Sequence, residues 1–179
     1  MSQFHTLSVL VQNRPGVLAR IAGLFARRGF NIESLAVGPT EDPAYSRVTI
    51  VIEAESEQVL EQITKQLNKL VEVIRILDFA AGEAVRRELI LVKVRADARS
   101  RSQLMEIATM FRGRIVDVAP ESIVIEATGS YSKIRALLEL LEPYGVRELV
   151  QSGSVALGRG VRAITDRSRY DKTPKAERA

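Results

Sequence analysis

Residues 4–53 read FHTLSVLVQ NRPG VLARIAGLFARR GFNIESLAV GPTEDP AYSRVTIVIE, spaced here at the points where the pattern changes. Segment 4–12 alternates: Leu7, Val9 and Val11 share one face, with His5 beside them, as in a half-buried strand. Asn13-Arg14-Pro15-Gly16 ends the alternation, and proline suits the first turn of a helix. Val17, Leu18, Ile21, Leu24 and Phe25 then recur at helical spacing, with Arg20, Arg27 and Arg28 elsewhere on the wheel. Gly29 follows a basic last turn, as a left-handed helix cap does. Asn31 to Val37 reads as a strand. Residues 38–43 carry turn signals, and Val48, Ile50 and Ile52 alternate with Arg47, Thr49 and Glu53 in the next strand.

Outward from this stretch, Ser56 suits the cap of a helix bearing Val59, Leu60, Ile63 and Leu67, and Val71 to Phe79 reads as a strand. The order is strand, helix, strand, strand, helix, strand. After Gly82 it repeats. Glu88 to Ala96 is strand-like, and Ser100 with Gln103 suggests a capping box for a helix carrying Leu104, Ile107, Ala108 and Phe111. A hairpin of 115–118 and 123–127 follows. Ser130 opens a helix with Ile134, Leu137, Leu138 and Leu141, and 146–157 reads as one closing strand. The expected fold class is α+β, with two tandem ferredoxin-like βαββαβ domains at 4–80 and 84–158. A basic tail, 159–179, is expected to be solvated and flexible. Each copy has sheet edges that invite pairing, so a homodimer is expected.

The chain has 179 residues, no Cys, a single His and no Trp. Disulfide frameworks, thiolate metal sites and thiol catalysis are thereby excluded, and a triad or multi-His metal centre would have to rest on His5 alone. No apolar run approaches the roughly 20 residues that span a bilayer, and Met1-Ser2-Gln3-Phe4-His5 lacks the basic start of a signal peptide. The expectation is a cytoplasmic chain without a membrane partner. The net charge of +4 resides in residues 159–179, with 7 Lys/Arg against 3 Asp/Glu, while the two repeats are nearly neutral. A nucleic-acid module concentrates positive charge on its folded face. RNA-binding versions of this fold stack bases on aromatics of the two central strands. Here those strands, 4–12 and 46–53, offer only Phe4 at a frayed start, so no nucleic-acid partner is expected.

The informative spot is the turn Asn13-Arg14-Pro15-Gly16-Val17-Leu18. With Pro15 as first helical residue, the cap falls to Arg14, a poor capper, and the N–H groups of Gly16, Val17 and Leu18 lack helical partners. Such a helix start suits an anion, a carboxylate included. Gly16 has no Cβ to hold a ligand off the backbone, and Asn13 offers an amide. The alternative is that Asn13 caps the turn and water meets the remaining donors. His5 has no orienting partner and reads as structural, as Met105 and Met110 read as helix packing.

The N-x-x-G-V-L turn, the segment GFNIESL, the Asp-Pro turn and SRVTI together resemble the small regulatory subunit family of acetohydroxyacid (acetolactate) synthase. The likeness continues through KQLNKLVEVIRI, RELILVKV, FRGRIVDV and SGSVALGRG, ending near Gly160. It implies an N-terminal ACT domain, a C-terminal ACT-like domain, and no catalysis by this chain itself. It implies a partner, the large catalytic subunit, which carries thiamine diphosphate, Mg²⁺ and FAD; none of these is expected in this chain. The small subunit is then expected to raise the large subunit's activity and to confer feedback inhibition by valine in branched-chain amino acid biosynthesis. By position, the effector residues implied are Asn13, Gly16, Val17 and Leu18 at the turn and Asn31 and Ile32 at the second strand, in a pocket shared between two ACT domains. Ala19 stands where the resemblance implies a small hydroxyl residue, which bears on the strength of feedback. A freestanding ACT-domain amino-acid sensor acting on another enzyme or a transcription factor is the alternative.

Overall fold

The alternation read in segment 4–12 places Leu7, Val9 and Val11 against two helices, and all three are buried. The computed structural model describes residues 3–80 and 82–166. β1 (Gln3–Gln12) lies between β3 (Tyr45–Ala54) and β4 (Val73–Phe79), antiparallel to both, and β2 (Ile32–Pro39) pairs with the far side of β3. The order β2-β3-β1-β4 makes β2 and β4 the edges. Helices α1 (Val17–Arg28) and α2 (Glu57–Leu67) cover one face, closing a core of Ile21, Leu24, Phe25, Ile50, Ile52, Ile63 and Leu67. The opposite, open face of this sheet is also largely buried: Thr6, Ser8, Leu10 and Thr49 are at most 4% exposed.

The second unit repeats the plan. β5 (Ala84–Arg95) is followed by α3 (Arg101–Met110), β6 (Arg114–Ala119), β7 (Ser122–Gly129), α4 (Tyr131–Leu141) and β8 (Val146–Gln151). The order is β6-β7-β5-β8, and the helices pack on Ile90, Val92, Val94, Ile123 and Ile125. The α+β class and the tandem βαββαβ order are as read from the sequence.

Four local readings are corrected. α1 begins at Val17, not Pro15; its N-cap is Gly16, in the left-handed region at φ 85°. Arg14 O accepts from Val17 N–H only at 3.5 Å, and the helix starts two residues later than proline suggests. α3 is not capped by Ser100 with Gln103. Asp97 Oδ1 instead accepts from the N–H groups of Arg99 and Ser100, and Ser100 Oγ accepts from Asp97 N–H. This is the same reciprocal logic three residues earlier. Gln103 accepts from the Tyr144 hydroxyl. The closing strand 146–157 is two strands, β8 and β9 (Val155–Gly158), because Ser152 turns aside to exchange hydrogen bonds with Leu89.

The fourth correction concerns the tail. Among the described residues, those up to 85 and those from 156 to 166 form one unit, and 86–155 the other. The first described residues of the expected tail are held in place: Ile164 is buried, and Arg75 donates to the carbonyls of Ile164 and Asp166. The remainder, 167–179, lies outside the described residues. Among the described residues, no helix is long and apolar enough to cross a membrane.

Candidate functional site

The turn from β1 to α1 is pinned from two sides. Asn13 N–H donates to Ala44 O at 2.8 Å, and Asn13 Nδ2 donates to Pro43 O at 3.0 Å. Gln12 N–H donates to Glu72 O, and Glu72 in turn pairs with Arg20 of α1 at 3.1 Å. Asn13 therefore neither caps the helix nor leaves its whole amide free. It ties the turn to residues 43–44, and among the described residues its Oδ1 and one amide N–H meet no partner. The 40–44 turn is itself ordered by Asp42, whose Oδ1 accepts from Ala44 N–H and whose carbonyl accepts from Tyr45 N–H.

Gly16 supplies the reversal that starts α1. A Cβ there would meet nothing within 4 Å, so the space before the helix is open, while the left-handed backbone favours glycine. Among the described residues, no hydrogen-bond acceptor meets the N–H groups of Gly16, Leu18 or Ala19. The first turn carries no acidic side chain. Unsatisfied donors at the positive end of a helix, with open space before them, favour a carboxylate. The side chains divide. Val17 is in the core and offers only its backbone, whereas Leu18 is 43% exposed.

Asn31 and Ile32 are elsewhere. Gln12 pairs with Tyr45, but Ile32 pairs with Ile52, seven residues along β3. At ~3.3 Å per residue this places them about 23 Å apart along the strand. Asn31 is exposed and, among the described residues, its side chain makes no hydrogen bond; Ile32 is half-buried against the core. One protomer thus brings Asn13, Gly16, Val17 and Leu18 together and leaves Asn31 and Ile32 at the other end of the sheet.

A cleft of about 780 Å³ occurs in the same unit, between β4 and residues 158–166. None of the six expected residues lines it. Its guanidinium groups, Arg75, Arg159 and Arg162, are matched by Asp78, Glu83 and Asp166, so it carries no charge preference. The chemistry of the β1–α1 turn therefore outweighs the size of this cleft. His5 is partly buried at the sheet end, and the described residues contain no cluster of His, Asp and Glu able to hold a metal. What the turn offers chemically is a set of hydrogen-bond donors able to receive and orient an anion.

Sequence reasoning missed the supporting role of residues 40–44. Their Thr-Glu-Asp-Pro composition signals a turn but not its partner across the sheet.

Residues 7–75 match the family described as "AHAS small subunit-like ACT domain", and 87–160 match "Small subunit of acetolactate synthase". The chain is 60% identical over 160 residues to the acetolactate synthase small subunit of Mycobacterium bovis, covering 89% of this chain and 95% of that protein. It is 61% identical over 160 residues to that of Mycobacterium leprae, covering 89% and 94%. Its structure is similar to the crystal structure of the acetolactate synthase small subunit from Thermotoga maritima, with TM-score 0.81 and 41% identity over 89% of this chain and 99% of that one.

Proposed function

Because the chain belongs to the family of acetolactate synthase small subunits, we propose that it binds valine between two copies of its N-terminal domain and so regulates a catalytic large subunit. The observation that carries this reading is the 23 Å separation within one sheet of two half-sites. An amino acid is far too short to touch both in one protomer. β2 is an edge strand, unpaired on its outer side among the described residues. If two copies join their β2 edges antiparallel about a twofold axis, the start of one β2 lies beside the end of the other. Pro39 ends β2 and pairs with Ser46, next to Tyr45 and Gln12. Asn31 and Ile32 of a second copy then face Asn13 and Gly16 of the first, and symmetry makes two such sites.

In each site the helix N–H groups receive the effector carboxylate. The ammonium meets the Asn31 side-chain oxygen of the second copy, and the branched side chain packs on Leu18 and Ile32. A ligand shared across the interface favours one dimer geometry over others, which is how it acts at a distance. The large subunit holds the thiamine diphosphate, Mg²⁺ and FAD and does the chemistry. This chain supplies binding surface, activation and the valine response.

The test is co-purification with a thiamine-diphosphate-dependent acetolactate synthase large subunit, followed by assay with and without valine. Stimulated turnover that valine lowers is the expected result. Valine binding without any effect on the synthase would favour the freestanding sensor instead.

A further inference from the structure

We propose that residues 161–166 form a strap across the open face of the N-terminal sheet, and that this strap braces the 40–44 turn and, through it, Asn13. Leu10 pairs with Arg47 on one side and Arg75 on the other, so both guanidinium groups stand on the face opposite the helices. That face is buried, and two cations there need acceptors. Arg47 Nε donates to Ser8 Oγ at 2.7 Å; burial lowers the Arg47 pKa, and the charge of Glu41 opposes that shift. Arg75 donates to the carbonyls of Ile164 and Asp166. The strap thus supplies backbone acceptors to a cation that the sheet alone leaves unmatched.

The strap is also built as a defined segment. Ile164 is 7% exposed, and Asp166 Oδ2 accepts from Ala163 N–H at 2.8 Å, closing a local turn. Thr165 Oγ1 donates to Glu41 at 3.3 Å, in the turn that holds Asn13 through Pro43 and Ala44. A continuous path therefore runs from Ile164 through Thr165, Glu41 and residues 42–44 to Asn13. The family match ends at residue 160, so the strap lies outside it. Its consequence for valine rests on the reading under Proposed function; its bracing of the turn does not.

The experiment is amide hydrogen exchange on the full chain, on a chain ending at Gly160, and on full-length Ile164→Asn. The Asn13, Ala44 and Tyr45 amides should exchange ~3–10-fold faster without a docked strap, as expected when a local opening loses a few contacts. Amides of β7 should not change. Equal exchange at those three amides in both variants overturns the proposal, and Ile164→Asn decides it should the shortened chain not fold. Valine titration of the same proteins is the second readout. Binding weakened ~3–10-fold supports the path to Asn13, and unchanged binding with faster exchange overturns its last step. If the full chain binds no valine, the effector reading fails, and exchange alone still decides the strap.

Discussion

Gly16 has two properties that substitution separates: a left-handed backbone and an empty space before it. Gly16→Ala tests the first and adds only an uncharged methyl to the second. It should destabilise the N-terminal unit by about 1–2 kcal/mol, the cost of a left-handed L-residue, and weaken valine less than a charged side chain does. Gly16→Asp adds a tethered carboxylate at the donors that the effector needs. Part of its backbone cost is offset by about 0.3–1 kcal/mol from charge at the helix N-terminus. The Asp variant should therefore lose valine response while melting no lower than the Ala variant. Calorimetric titration and urea unfolding on both proteins check this, and unchanged valine affinity in Gly16→Asp would sink the site. Asn31→Ala should weaken valine by about 0.5–1.5 kcal/mol, one hydrogen bond's net worth, without altering stability, since the side chain is exposed and unpaired among the described residues.

The edge strand β2 and the start of α3 carry the tests at the level of elements. Val37 on β2 is 48% exposed, so a lysine there costs the monomer little but places charge on the joining edge. Val37→Lys should sediment as a monomer and lose valine binding together; a dimer that still binds valine would remove β2 from the interface. At α3, hydrogen bonds from the Ser100 N–H, the Ser100 hydroxyl and the Arg99 N–H hold the Asp97 carboxyl below its usual range. A carboxyl depressed in the folded state stabilises it above the unfolded pKa and loses that effect as pH falls through the folded value. The stability of Asp97→Asn should therefore depend less on pH below about 4 than that of the parent, as thermal melts across that range would show. These elements also mark what the sequence could reveal. Periods of two and 3.6 are enough for helices α1 to α4 and for the succession of strands through β8, because apolar faces such as Leu7, Val9 and Val11 must be buried. Caps were less legible. Ser100 and Asp97 both carry suitable oxygens, and only backbone geometry chooses between them. That the donors of the β1–α1 turn suit an anion is legible from residue types, beside the alternative that Asn13 caps the turn; the choice of an effector there comes from the family resemblance. That the other half of the candidate site lies at the far end of the sheet depends on register, which pairs Ile32 with Ile52 and is not a local property.

For the whole molecule, the purified chain alone should turn over no pyruvate; acetolactate formed in the absence of a large subunit would refute its role as a regulator. Ending the chain at Gly160 should lower the melting temperature, contrary to what a solvated tail implies. Burying one isoleucine contributes roughly 1.5–3 kcal/mol before the entropy of ordering the strap is subtracted. Even a net loss of about 1 kcal/mol would appear as a shift of about 4–8 °C in a domain of this size. The first residues of the tail, up to 166, depart from the expectation because their polar composition says nothing of an acceptor-hungry Arg75 on a distant strand. The same arrangement has a temporal side. The N-terminal unit is discontinuous: its last part begins at residue 156, after the entire second unit has been made. At roughly 5–20 residues per second, the ribosome needs about 4–14 s to add the 71 residues from 85 to 156. During that interval a nascent first sheet would carry Arg75 and the faces of Leu77 and Phe79 without the segment that later lies on them. The newborn chain thus has a window, set by translation speed, in which this face is open to chaperones or to a neighbouring nascent chain.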